Sequence, residues 1–166
     1  MMKSIIKVLC CISAVGLLGL SGCGEKEKEI KPEKNDFLVS AADSEQQEKI
    51  NEVVNAYLQA LEHNSMSELM ACAAEDCSLC NDETAFYDMT TGLSSARLDN
   101  IDFENMQIKK DEMLITVDYT LIYSGSFMDG EGSICSPGEY STKELFLIKV
   151  INDEYKISST EKTAAG

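Results

Sequence analysis

A chain of 166 residues with 44% apolar side chains can bury one sizeable core. Its 29 acidic residues outnumber 14 basic ones, for a formal charge of −15 at pH 7, which excludes nucleic acid and anionic headgroups as partners of the folded part because both would repel it. One histidine, no tryptophan and seven cysteines leave little room for imidazole chemistry.

At the start of the chain, Lys3 and Lys7 precede an apolar run from Val8 to Leu20. That run is too short to cross about 30 Å of hydrocarbon as a helix and reads as the core of a signal peptide. It closes on Leu20-Ser21-Gly22-Cys23, which resembles the lipobox of bacterial lipoproteins. The resemblance implies removal of residues 1–22 as signal peptide and a diacylglycerol on the Cys23 sulfur. It thereby implies a protein anchored in the cell membrane on its extracytoplasmic face. Two or three acyl chains hold such an anchor stably where one would not. Cys10 and Cys11 fall within the part to be removed. Beyond Cys23, Lys26, Lys28, Lys31 and Lys34 alternate with Glu25, Glu27, Glu29, Glu33 and Asp36 around Pro32. Such a composition cannot bury enough surface to offset chain entropy, so residues 23–42 are expected to be a charged, flexible tether. The net negative charge lies wholly after it, and a solvated acidic surface is the simplest account of it.

The folded domain is expected over residues 43–166, and it opens with a helix. Asp43 or Ser44 can cap a first turn, and Ser44-x-x-Gln47 fits a capping box. Ile50, Val53, Val54, Tyr57, Leu58 and Leu61 then recur at helical spacing and form one apolar stripe. The pattern ends at His63-Asn64. Ser65-x-x-Glu68 marks a second, shorter helix to about Ala74, with Leu69, Met70 and Ala73 inward. A third helical piece is expected from Glu83 to Thr90, with Phe86 and Met89 inward and Gly92 ending it.

After Asp99 the period changes. Ile101 to Ile108 alternates imperfectly, as an edge strand would. Met113, Ile115, Val117, Tyr119, Leu121 and Tyr123 form an unbroken apolar face of a strand. Gly125 to Gly138 reads as a long loop, and Tyr140 to Ile151, apolar on both faces, as the central strand. Asn152-Asp153-Glu154 turns the chain into a last strand beginning at Tyr155. Short connections between these strands imply an antiparallel meander, and helices followed by such a sheet imply an α+β fold.

Val53 to Asp76 and Glu144 to Ser159 resemble the first helices and the last hairpin of the nuclear transport factor 2-like superfamily, with its cystatin-like cone (SnoaL-like). The resemblance implies helices packed on a curved antiparallel sheet that encloses a conical cavity. Tyr155 stands where that superfamily often has tryptophan. Members include isomerases and dehydratases as well as proteins without catalysis, so the fold alone does not decide the function. Its enzymes rely on an acid–base pair projecting into an apolar cone. The candidates here are Asp118 as base with Tyr119 as donor, or with Tyr57 or Tyr123 in that role. Alternation places Asp118 opposite Tyr119, on the solvent side. His63 suits a helix C-terminus better than catalysis.

Beyond the signal peptide and Cys23, the remaining thiols are Cys72, Cys77, Cys80 and Cys135. An even number outside the membrane suggests two disulfides of undetermined pairing. A Cys77-x-x-Cys80 redox couple or a four-cysteine zinc site would use the same residues. Asp129-Gly130-Glu131-Gly132 lacks the ligand spacing of a calcium loop. No cofactor or metal is expected. The reading as a whole is a membrane-anchored, non-catalytic module that binds a small molecule or an envelope protein, with a cone-type isomerase or hydrolase as the alternative.

Overall fold

The computed structural model describes residues 37–129 and 132–163. The signal peptide, the lipobox with Cys23, the tether as far as Asp36, and Gly130 and Glu131 of the glycine loop lie outside the described residues. Leu38–Ser40, assigned above to the tether, form a short strand, β1. Helix α1, Ser44–Glu62, carries the expected stripe, and Ile50, Val53, Val54, Tyr57, Leu58 and Leu61 are all buried.

The capping box lies one residue earlier than expected. Asp43 Oδ1 accepts from the Gln46 N–H at 2.9 Å, and Gln46 Oε1 accepts from the Asp43 N–H at 3.1 Å. A carboxylate at this position also opposes the positive end of the helix dipole. At the other end, the Asn64 N–H donates to Leu61 and the Ser65 N–H to Ala60, a Schellman closure that requires Asn64 in the left-handed region, at φ 51°.

Helix α2, Met66–Cys72, is capped by Ser65 as expected. Its buried positions are Leu69 and Cys72, three apart on one face. Met70 is 62% exposed, a correction to the expected inward set. Ala73 leaves the helix to bridge Ile157 in parallel. A single 3-10 turn, Leu79–Asn81, leads into α3, Glu83–Thr90, which is capped by Asp82. Phe86 is buried at 0% exposure. The chain then turns at Gly92, whose φ is 76°.

The sheet strands are β2 (Leu93–Ile101), β3 (Met106–Lys109), β4 (Glu112–Tyr123), β7 (Gly138–Ile151) and β8 (Glu154–Lys162). Between β4 and β7 a two-stranded hairpin, β5 (Phe127–Met128) and β6 (Ile134–Cys135), occupies what reads as a loop. The main sheet is antiparallel in the order β1-β3-β4-β7-β8, with β2 beside β3 on the same edge of β4. Two expectations are corrected. The strand expected over 101–108 is interrupted: Ile101 ends β2, Met106–Ile108 belong to β3, and between them Asp102 accepts from Glu104 and Asn105. The middle of the sheet is β4, not β7, which sits between β4 and β8.

Met113, Ile115, Val117, Tyr119, Leu121 and Tyr123 of β4 line the inner face with Phe146 and Ile148 of β7 and Ile157 of β8, all buried. Helix α1 packs on this face, with the Tyr57 and Phe146 rings edge to face at 5.4 Å. The β7–β8 turn at Asn152 and Asp153 has φ of 53° and 65°, the geometry that suits the right-handed strand twist. Among the described residues no helix is long and apolar enough to cross a membrane.

Candidate functional site

Where the inner face of the sheet runs beyond the reach of α1, it is left uncovered and a cavity of about 1200 Å³ opens. Its floor is Tyr119 and Leu121 of β4 with Glu144 of β7. One wall is α3 and the 3-10 turn before it, through Leu79, Ala85 and Met89; the opposite wall is the β5–β6 hairpin, through Phe127, Met128 and Cys135. The Tyr123 hydroxyl ties the two sides together by donating to the Met89 carbonyl at 2.7 Å. Tyr123, Phe127 and Tyr140 pack as a three-ring cluster: Tyr123 stacks on Phe127 at 3.6 Å, and Tyr140 stands edge-on to both. A cavity of this size, with an apolar and aromatic wall and several charged side chains in its lining, among them Asp82, Asp88, Glu144, Lys143 and Lys162, has the form of a small-molecule site.

Glu144 is the polar group that stands out. It is a charged residue in phase with Phe146 and Ile148 on the core-facing side of β7, opposite Val117, and it is only 8% exposed. Burial pushes the Tyr119 hydroxyl far above the usual phenol range, and Tyr57 and a hydrogen-bonded Glu144 carboxylate push it further. Burial and then Glu144 raise Tyr57 in the same way, while its hydrogen bond with Thr160 opposes the shift. Tyr123 rises to about 12, through burial first and then Cys135 and Tyr140. All three phenols therefore stay neutral donors across the physiological range. The site pairs a buried carboxylate with a phenol that can donate to it.

The residues singled out from sequence fall into two groups. Tyr119 and Tyr123 line the cavity, and Tyr57 lies close enough to act on Tyr119 and Glu144. Asp118 does not join them. The pleat of β4 sends it to the outer face, where its carboxylate meets the Lys143 ammonium across the strands at 3.4 Å, so Asp118 and Tyr119 cannot work on one substrate atom. His63 is exposed at the end of α1 with Nδ1 2.7 Å from Glu68 Oε2, outside the cavity lining. Glu144 was missed because β7 reads as apolar on both faces. Counting alternate positions back from Ile148 through Phe146 would have found it.

The disulfide expectation is corrected: Cys72, Cys77, Cys80 and Cys135 are all free thiols. Cys135 lines the cavity, whereas Cys72 lines a separate shallow hollow with Ala71 and Tyr155. Burial raises Cys72 to about 11. Burial, followed by a hydrogen bond with Cys77, raises Cys80 to about 12. A redox couple relies on a thiol shifted the other way, so the raised Cys72 and Cys80 thiols make poor nucleophiles. Among the described residues no three His, Cys, Asp or Glu side chains converge to hold a metal ion. Asp129 Oδ1 accepts from the Ser133 N–H at 2.8 Å, as a turn-forming side chain does.

The sequence matches no protein-family model, and no curated protein sequence aligns with it. Solved structures do match. A protein of unknown function with a cystatin-like fold from Nostoc punctiforme superposes with a TM-score of 0.56 at 13% identity, over 74% of this chain and 92% of that one. An uncharacterized protein with a cystatin-like fold from Caulobacter vibrioides gives the same four values. A nuclear transport factor 2-like superfamily protein from Salmonella enterica has a TM-score of 0.52 at 13% identity, over 75% of this chain and 94% of that one. At such identities the likeness is one of fold. Residues 37–163 thus adopt the nuclear transport factor 2-like, cystatin-like fold, with helices packed on a curved antiparallel sheet.

Proposed function

We propose that this protein is a small-molecule-binding module held at the outer face of the cell membrane by lipid on Cys23. The observation that carries the binding role is the cavity, with Glu144 and Tyr119 at its floor and an aromatic wall. Under α1 the inner face is filled by the Tyr57 and Phe146 rings, both buried, while the end lined by α3 and the hairpin stays open. That division suits a ligand inserted from the mouth with its polar end toward Glu144. Support for the anchor comes from the order of Lys3, Lys7, the apolar run and Leu20-Ser21-Gly22-Cys23.

The binding role is tested by native mass spectrometry of the purified protein under gentle desolvation. A bound species of discrete mass, lost when Leu121→Trp fills the floor, is the expected result. A bare protein that also fails to take up an apolar fluorescent probe would refute the role. The anchor is tested by Cys23→Ser, which should move the protein from the membrane fraction to the soluble one. An unchanged partition would refute it.

A second reading has one observation in its favour, a Glu144 carboxyl and a Tyr119 phenol in the lining of one cavity. A carboxylate that takes a proton from carbon, beside a neutral phenol that steadies the resulting oxyanion, is a workable isomerase or dehydratase pair. Glu144→Gln would then abolish turnover while leaving ligand affinity largely intact, whereas in a binding module the same change lowers affinity.

A further inference from the structure

We propose that the β1 edge of the sheet docks on the lipid surface in which the chain is anchored, through Phe37, Leu38 and Val39. The docking presupposes the Cys23 anchor proposed above and adds to it a second, reversible contact with the same membrane.

The exposure of this edge is the first ground. β1 ends the sheet on its side and, among the described residues, pairs only with β3. Alternation sends Leu38 and Val39 to opposite faces of the strand, so a sheet packed on one face would cover one of them, yet they are 74% and 70% exposed. Among the described residues, no other two exposed large apolar side chains are consecutive in the chain. Phe37 extends the run, with the Lys109 ammonium 5.8 Å from the centre of its ring. An apolar edge strand left bare invites pairing with other chains, and a bilayer surface covers it without that hazard.

The place where the chain leaves the fold is the second ground. Thirteen residues, Gly24 to Asp36, separate Cys23 from Phe37, which is at most about 45 Å of chain. With the Cys23 sulfur carrying lipid, β1 is the first element of the fold to come to the bilayer. A link this short holds the surface at an effective concentration of about millimolar, so a contact of two or three side chains persists although it would be weak on its own.

Charge fixes the character and the location of the contact. The acidic domain is repelled by anionic headgroups, so the contact is apolar. Beside β1, the β3–β4 turn carries Lys109 and Lys110, both exposed, whose stems cover apolar surface while their ammonium groups stay in water. The rival site is the cross-strand pair Met128 and Ile134 on the β5–β6 hairpin. It is followed and preceded by Asp129 and Ser133 rather than lysines. No residue of β1 or β3 lines the cavity. β3 pairs with Glu112–Leu114 of β4, whereas the cavity floor lies at Tyr119 and Leu121, so docking at β1 leaves the mouth open to water.

The chain has no tryptophan, so Val39→Trp is a lone fluorescent reporter at an exposed position. The full chain is expressed in bacteria, purified from membranes and reconstituted in phosphatidylcholine vesicles with plain or brominated acyl chains. The expected result is a blue-shifted emission, quenched at least about twofold by bromine, as for a side chain about 5–10 Å into the headgroup–acyl boundary. Leu38→Trp should behave alike, whereas Ile134→Trp on the hairpin should keep a water-like, unquenched emission. Equal quenching on the hairpin, or none at either β1 reporter while the protein floats with the vesicles, overturns the docking and leaves the anchor intact. A blue shift at β1 without bromine quenching assigns the edge to a second copy of the chain and overturns lipid as its occupant. Protein that does not float with the vesicles overturns the anchor, and the docking with it.

Discussion

On the core-facing side of the β4–β7 pair, Glu144 is the one ionisable acid among Val117, Tyr119, Leu121, Phe146 and Ile148. A charge in that position does not help packing, and its direct cross-strand neighbour is Lys162 of β8. The tyrosines around it give a direct check on the burial argument. Tyr57 and Tyr119 have folded-state values above the unfolded value of 10.0. They contribute stability that is fully present below that value and lost as pH rises toward the folded one. An ultraviolet titration should therefore find both phenols silent until the chain unfolds in alkali. Tyr119→Phe should make that transition less steep. Gly92 is a second residue with a specific demand. Its φ is 76°, and a Cβ there would meet the Gly125 carbonyl oxygen at 3.1 Å. Gly92→Ala should cost about 1–2 kcal/mol in a denaturant melt, with the m-value unchanged.

Elements with unbroken periodicity could be read from the sequence, and those with interruptions could not. Helix α1 and strand β4 each keep one phase from end to end, so their buried sets follow from counting. Strand β2 escaped because irregularities between Leu93 and Ser95 and between Leu98 and Asn100 shift its register against β4, so side chains change face partway along. β1 has three residues, all exposed, and carries no pattern to read. Tertiary contacts decided the exit of α2. There Asp76 accepts from the Ser158 hydroxyl at 2.9 Å and pairs with Lys149, tying the segment after α2 to β7 and β8.

Lys149 and then Ser158 hold the Asp76 carboxyl below its ordinary 3.8. Its contribution is present above that value and fades as pH falls through the folded one. The side chain is 55% exposed, so screening limits the effect to at most about 1 kcal/mol. Asp76→Asn should lower the melting temperature slightly at neutral pH, and the difference from the parent should vanish in acid.

At the level of the molecule, helices on one face of a curved sheet follow from the order of elements, but the open cavity does not. It exists because α1 ends at Glu62 and the short α3 and the β5–β6 hairpin wall off the sheet beyond it, an arrangement that no local pattern encodes. The acid of the site was hidden for a related reason: only the register of β7 against β4 places Glu144 beside Tyr119. The thiols teach a similar lesson, since an even count suggested crosslinks while Cys72, Cys77, Cys80 and Cys135 are all unpaired. Chemical-shift mapping by NMR with a small apolar aromatic probe addresses the binding role where it is located. Shifts confined to Met89, Tyr119, Leu121, Tyr123, Phe127, Tyr140 and Glu144 are the expected result. Shifts scattered over the outer face of the sheet, or none at saturating probe, would contradict it.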